Sequence, residues 1–291
     1  MSYSNSKVGK IKHYFMPFIE RFGPTELELS TSHDYCSKLK LAKNQEKPKT
    51  ILSPSLVRKV RVKLRPYLLS VFPTFSELYK ELPDGLACFL TNQYLINLYT
   101  IAKNPTRFQC RYQGLIPGTV FHERSAGTNA ISMCNKLKRP VFLLGSQHYL
   151  IEMFSNKWFI ADRVCLPNGE PLWIFALSAP LDKDPRMLIF LVQMLIKRLE
   201  HMVRRTWFTK QKVAELQKKA SSFTLKPLTQ RELEILSHLV DGKSYKEIAN
   251  TLFLSLGTVN TYVYHIYSKL NVSSRKELRH KLSVNIPDMS F

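Results

Sequence analysis

Apolar residues at helical spacing organise the last quarter of the chain. Val259, Val263, Ile266 and Leu270 follow the i, i+4, i+7, i+11 spacing of one buried stripe. At about 100° per residue the opposite face carries Gly257, Thr261, Tyr264 and Ser268, flanked by Asn260 and His265. That face is polar and free of acids, which suits it to the donors and acceptors of base edges in a major groove. Three times in this region a hydroxyl residue precedes a glutamate by three places: Thr229 and Glu232, Ser244 and Glu247, Ser274 and Glu277. Each pair predicts a capping box at a helix start. Gly242 stops the first helix, a tight turn at residues 253–255 ends the second, and Ser255 opens the third, striped one. The order describes a helix-turn-helix with a fourth supporting helix.

Upstream the pattern shortens. Leu86–Leu90 and Tyr94–Ile101 flank a turn at Asn92–Gln93, and Trp158–Leu166 and Glu170–Ser178 flank Asn168–Gly169. Both read as hairpins, the second through a type I′ turn with positive φ at Asn168 and Gly169. Between them Thr128–Leu137 has helix character and Pro140–Leu144 reads as another strand. Before them Leu56, Val60, Leu64, Leu68, Phe72 and Phe75 predict helical elements interrupted at Pro66 and Pro73. After them Pro185–Lys219 reads as one long helix with a seam of Leu188, Leu191, Val192, Leu195, Leu199, Met202 and Val203. That seam fits its own sheet or a second chain equally well. Ser221, Ser222 and Pro227 mark a hinge. The expected fold class is α+β: an antiparallel-sheet domain joined by a long helix to an all-α, four-helix domain. The expected divisions are a basic segment over 1–50, ending in an exposed linker at Asn44–Lys49, the sheet domain over 51–184, the connecting helix and hinge over 185–222, and the helical domain over 223–291.

Composition narrows the function. The 291 residues carry a formal charge of +21, with basic runs at Lys38–Lys63 and Lys197–Lys219 as well as in the last domain. Such an excess favours a polyanion through counterion release, although a charge run taken alone is ordinarily a solvated face. The five cysteines, Cys36, Cys88, Cys110, Cys134 and Cys165, are scattered and include no C-x-x-C pair, which points to reduced thiols and a cytoplasmic protein. Lys7, Lys10 and Lys12 are not followed by an apolar run, and Met187–Ile196 is about half the length of a membrane span. No cofactor, metal or membrane partner is expected.

Two resemblances add to this reading. The run Leu228–Leu236, then Gly242, Lys246–Ala249, Leu252–Phe253, Ser255, Thr258–Val259 and Lys269–Leu270, resembles the DNA-binding domain of LuxR/NarL-type regulators across the whole module. The resemblance implies base contacts from Asn260, Thr261 and Tyr264. Asn260 and Tyr262 stand where the family often has lysine and histidine. Lys246, Ser255, Thr258, Lys269 and Arg275 are the expected phosphate contacts. In the middle region Gly118, Phe121, Glu123, Ala126–Ile131, Arg139–Val141, Gly145 and Gln147–Tyr149 resemble the GAF sensor domain of AcoR-type activators. Ser132 replaces that family's usual glycine, Asp162–Arg163 replaces a small-residue–proline pair, and no G-x-x-x-x-G-K-[ST] motif is present.

The GAF resemblance implies a small-molecule cleft, for which Glu123, Thr128, Asn129, Gln147, His148 and Tyr149 are the candidates. For Thr128 and Asn129 the competing role is helix capping. For His148 it is a bond to a neighbouring carbonyl. The expected whole is a dimeric transcription regulator, not an enzyme, on double-stranded DNA with an inverted repeat, responding to a small-molecule effector; RNA polymerase is a further candidate partner. The alternatives are a protein-binding adaptor held on DNA and a thiol-dependent reductase using Cys110 and Cys134, against which stands the ordinary role of buried free thiols.

Overall fold

The computed structural model describes residues 14–223 and 226–282. Lys7, Lys10 and Lys12 lie outside them, as do Leu225 and residues 283–291. The chain divides into two compact units between Arg204 and Arg205.

The first unit is built on a five-stranded sheet of β1 (Ala87–Asn92), β2 (Asn97–Ala102), β3 (Val141–Leu144), β4 (Lys157–Cys165) and β5 (Pro171–Pro180). The order is β2-β1-β5-β4-β3 and every pairing is antiparallel, as the two hairpins predict. Both hairpin loops differ from expectation in one respect. In the second, only Gly169 takes positive φ, at +83°, and Leu166 N donates to Glu170 O at 2.8 Å, so three residues form the loop where a two-residue type I′ turn was expected. In the first, Asn92 N donates to Ile96 O at 3.1 Å and Leu95 takes φ +60°. Loops of this length need a left-handed third residue, usually glycine. Leucine is accepted in the first because burial of its side chain in the core offsets the strain.

Helices surround the sheet. Residues 14–22 form α1, followed by α2 (Glu26–Lys38), α3 (Pro54–Glu81), α4 (Thr106–Tyr112), α5 (Glu123–Ala126), α6 (Ala130–Leu137) and α7 (Ile151–Phe154). The expected interruptions at Pro66 and Pro73 do not occur: α3 is one helix of 28 residues. Both prolines stand on its exposed side, so the carbonyls of Val62 and Leu69 that lose an amide face water. The buried stripe of Val57, Tyr67, Leu68, Val71, Thr74 and Phe75 runs past them and carries the helix. Val57 and Val71, not Leu56 and Phe72, belong to that stripe, and Leu56 and Phe72 are exposed. On one sheet face Phe89 stacks on Phe159 at 6.1 Å and meets Phe121 edge-on, within a core shared with α5 and α6.

α8 (Pro185–Ser221) runs through the division between the units. In the first unit it buries Ile189, Val192, Ile196, Leu199 and Val203. It meets α3 through the Arg198–Glu77 ion pair at 3.0 Å and β4 through Cys165 N, which donates to Glu200 Oε1 at 3.0 Å. Met187, Phe190, Leu191 and Met194 remain exposed. The seam is thus divided between an inner stripe that packs at home and an outer apolar stripe. No helix among the described residues is long and apolar enough to cross a membrane.

In the second unit the last turns of α8 place Leu216 and Ala220 in a core with α9 (Gln230–Val240), α10 (Tyr245–Leu252), α11 (Leu256–Leu270) and α12 (Arg275–Leu282). The capping boxes at Thr229 and Ser244 form as expected. The third is shifted: Ser274 Oγ accepts from Glu277 N at 3.2 Å, but the carboxylate returns to Ser273 N at 2.8 Å. Phe253 makes the tight turn at φ 54°.

Gly118 enables the close approach that ties the start of α3 to the sheet domain. Its φ is +102°, and a Cβ there would meet Leu52 O at 2.5 Å and Val57 Cγ2 at 3.2 Å. Gly118→Ala is expected to destabilise the first unit by about 2 kcal/mol or more, read as a lower urea midpoint with an unchanged slope.

Candidate functional site

The second unit presents α11. Val259, Val263, Ile266 and Leu270 are all buried, and this fixes the helix rotation so that Asn260, Thr261, Tyr264, His265 and Ser268 face solvent. Tyr264 is 72% exposed. No acid occurs anywhere on α11. Ser255 caps the helix, accepting from Thr258 N at 3.0 Å and bonding Thr258 Oγ1 at 2.8 Å. The first amides of the helix are therefore directed outward beside Ser255, where the helix dipole favours an anion. Lys246, in the first turn of α10, is exposed. Phe253, read from the sequence as a turn residue and part of the LuxR/NarL-like pattern but not as a site residue, is 94% exposed just before α11.

The other two cations expected on phosphates are held by the protein itself. Lys269 Nζ pairs with Glu232 Oε2 at 2.8 Å and reaches Pro227 O at 3.4 Å. Arg275 Nε donates to Leu239 O at 2.9 Å and its Nη2 donates to Lys243 O. Burial pushes the Glu232 carboxyl up, but Lys269 and the Thr229 amide more than offset this and hold it below the ordinary carboxylate range. Lys269 thus ties α11 to α9. Lys269→Met leaves a buried carboxylate unpaired, and the second unit is expected to lose about 2 kcal/mol of stability, measured by urea unfolding.

The cleft candidates of the first unit do not share one role. Glu123 and Thr128 converge on Ser32 of α2: Ser32 Oγ donates to Glu123 Oε1 and lies 2.7 Å from Thr128 Oγ1. Lys136 Nζ stands 3.7 Å from the same carboxylate, and Cys36 Sγ is 3.6 Å from Thr128 Oγ1. Asn129 is the N-cap of α6; Ser132 closes the reciprocal bond, Asn129 N to Ser132 Oγ at 3.2 Å. The Asn129 amide is spent on Phe121 O at 2.9 Å and Gly127 O at 2.7 Å, so its capping role prevails. Gln147 Oε1 accepts from Leu144 N at 2.7 Å, and Tyr149 donates its hydroxyl to Leu41 O at 3.0 Å.

α2, from the segment to which the sequence assigns no function, therefore stands where a ligand was expected. It buries only Ser32 and Cys36 fully. Leu29 packs partly buried against the core, and polar contacts add to this: His33 Nε2 lies 3.0 Å from Gln147 O, and Arg139 pairs with Glu28 at 2.9 Å. Only the pairing of an N-terminal hydroxyl with a far carboxylate could have revealed this, and no local pattern encodes it. The thiols give the reductase alternative no support, because burial pushes both Cys110 and Cys134 up, away from the thiolate form.

His148 is buried, with Nδ1 3.0 Å from Gly145 O and its ring 4.9 Å from that of Phe154 and 5.1 Å from that of Phe159. Burial lowers its pKa to about 4, and Nε2 has no partner among the described residues. The carbonyl bond is the role favoured by the geometry. A depressed folded pKa gives stability that is present above the ordinary histidine value and lost as pH falls through about 4. The first unit is expected to lose about 3 kcal/mol between pH 6.5 and 4 through this group. In urea titrations across that range, His148→Leu should flatten the loss.

Comparison with known proteins bears mainly on the second unit. Residues 226–282 match the family "Bacterial regulatory proteins, luxR family". The transcriptional regulatory protein LiaR of Bacillus subtilis is 50% identical over 50 residues, 17% of this chain and 24% of LiaR. The oxygen regulatory protein NreC of Staphylococcus epidermidis is 46% identical over 59 residues, 20% of this chain and 27% of NreC. The match thus spans about a quarter of the length of these relatives. In the solved complex of Escherichia coli DhaR(N) with DhaL, one chain is similar in fold at a TM-score of 0.55 and 18% identity, covering 68% of each chain. The α+β fold and the LuxR-family helix-turn-helix at the C-terminal end stand on these likenesses.

Proposed function

We propose that the protein is a sequence-specific DNA-binding transcription regulator. The observation that carries the reading is the exposed, acid-free face of α11 in a domain that matches the luxR family. Asn260, Thr261 and Tyr264 meet base edges, and Lys246, Ser255, Thr258 and the α11 N-terminus hold phosphates and set the register. Lys269 and Arg275 act through the fold.

One such module contacts few base pairs, so useful specificity calls for two on a two-fold site. The exposed stripe of Met187, Phe190, Leu191 and Met194 follows i, i+3, i+4, i+7 spacing, which suits a second copy of the chain. The sheet domain then serves as the sensor, whose effector alters how the two reading helices are presented. A second reading, in which this domain binds a protein, draws support from its likeness in fold to DhaR(N), which was solved in complex with DhaL.

Selection of bound sequences from random duplex DNA tests the proposal. The expected outcome is an inverted repeat with half-sites about one helical turn apart. Asn260→Ala should relax selectivity at one base position per half-site, at a cost of about 1–3 kcal/mol. Leu191→Glu should abolish dimers in sedimentation and weaken binding to the full repeat. Enrichment of no sequence, with affinity that collapses as salt rises, would leave only the charge of +21 at work.

A further inference from the structure

The family resemblance leaves one feature unabsorbed: Asp162–Arg163, in place of a small-residue–proline pair. In the structure both residues line a cleft of about 480 Å³ in the first unit, together with Arg21, Gln193, Lys197 and Glu200. That volume falls within the range of small-molecule sites. Among the described residues neither Asp162 nor Glu200 makes an ion pair, although three cations line the same cleft.

Each group is also incompletely bonded. One oxygen of Asp162 accepts from Arg163 N at 2.7 Å, and one oxygen of Glu200 accepts from Cys165 N at 3.0 Å, which leaves the second oxygen of each without a described partner. Arg163 donates through Nη2 to Lys138 O, but its Nε is buried and has no partner among the described residues. The buried Arg163 Nε, left without a partner beside two half-buried carboxylates in one cleft, is costly to the fold and points to a ligand. Burial, with Glu200 nearby, raises Asp162 to about 6 against the opposing effect of the Arg163 amide and guanidinium.

A simple anion in this cleft would meet two carboxylates, and a simple cation would meet three basic side chains. A molecule carrying both charges a few ångströms apart matches both sets. We propose that this cleft binds a small zwitterion of the α-amino acid class, its carboxylate on Arg163 and Lys197 and its ammonium on Asp162 and Glu200. The site rests on the reading of the first unit as a sensor only for its consequence. Gln193, Lys197 and Glu200 belong to α8, whose last turns pack in the DNA-binding unit, so a ligand here acts on the connecting helix directly.

Calorimetric titration of the full chain with the standard amino acids, acetate and ethylamine tests the site. Saturable binding of at least one amino acid is expected, with acetate and ethylamine weaker by about tenfold or more. Asp162→Asn and the exposed Lys197→Gln should each weaken that binding about tenfold, the loss of one charge-assisted bond. Lys197→Gln is expected to retain the parent's thermal midpoint, so its loss of binding reports the site and not the fold. Failure of every amino acid to bind, equal binding by acetate, or unchanged affinity in both variants would overturn the proposal. Duplex binding measured in parallel separates the two readings. An amino acid that binds without altering DNA affinity keeps the site and removes its role as effector; absence of DNA recognition would overturn the regulator reading and leave the titration result standing.

Discussion

The rotation of α11 about its own axis is the constraint on which the DNA-binding unit depends. A helix turns about 100° per residue, so a change of one position would bury Asn260 and expose Val259. Four buried residues set that angle, and the Lys269–Glu232 pair secures it. The pair does so because Glu232 is already committed elsewhere: its carboxylate also accepts from Thr229 N at 2.7 Å, closing the cap of α9. One buried carboxylate thus joins the start of α9 to the end of α11. Exposed ion pairs contribute little, but one whose acid is buried resists separation, since parting leaves a desolvated charge.

The same carboxylate shows what could be read from the sequence. Capping and periodicity involve residues three or four apart, so the four helices of the second unit and their polar face were legible from local spacing. The role of Lys269 was not, because its partner is 37 residues away. The bonds Arg275 makes within the fold were hidden for the same reason, its carbonyl partners lying 36 and 32 residues upstream. In the first unit the strands and hairpins followed from alternation and turn residues, while the unbroken α3 did not. Proline argues locally against a helix, but the cost falls on solvent-facing carbonyls, and burial of the opposite face outweighs it.

The least legible feature is α2. Its two fully buried residues are Ser32 and Cys36, neither of which stands out in a hydrophobic pattern. Ser32 is 91 positions from Glu123 and 96 from Thr128. Reading Glu123 and Thr128 as cleft residues was chemically reasonable, since a buried carboxylate beside a hydroxyl requires a partner. The partner in this structure is the chain's own hydroxyl. A helix that docks through polar contacts gains less per residue than one that buries leucines, because each bond replaces one to water. α2 accordingly brings little apolar area to the core, chiefly Cys36 and the partly buried Leu29.

That imbalance bears on the proposal that the sheet domain acts as a sensor. The two helices are held in different proportions: α2 mainly by hydrogen bonds and ion pairs, with Cys36 and Leu29 at the core, and α8 mainly by a stripe of Ile189, Val192, Ile196, Leu199 and Val203. A signal passed through α2 must release it, whereas one received on α8 needs only to bias a rigid helix. Coupling energies between sites are typically about 1–3 kcal/mol. One charge-assisted bond formed in one state and absent in the other falls in this range. Lys197 and Glu200 place such charges one turn apart on α8 itself, beside the buried Ile196 and Leu199 that hold the helix down. A small charged ligand can therefore bias the connecting helix without disrupting the core that supports it.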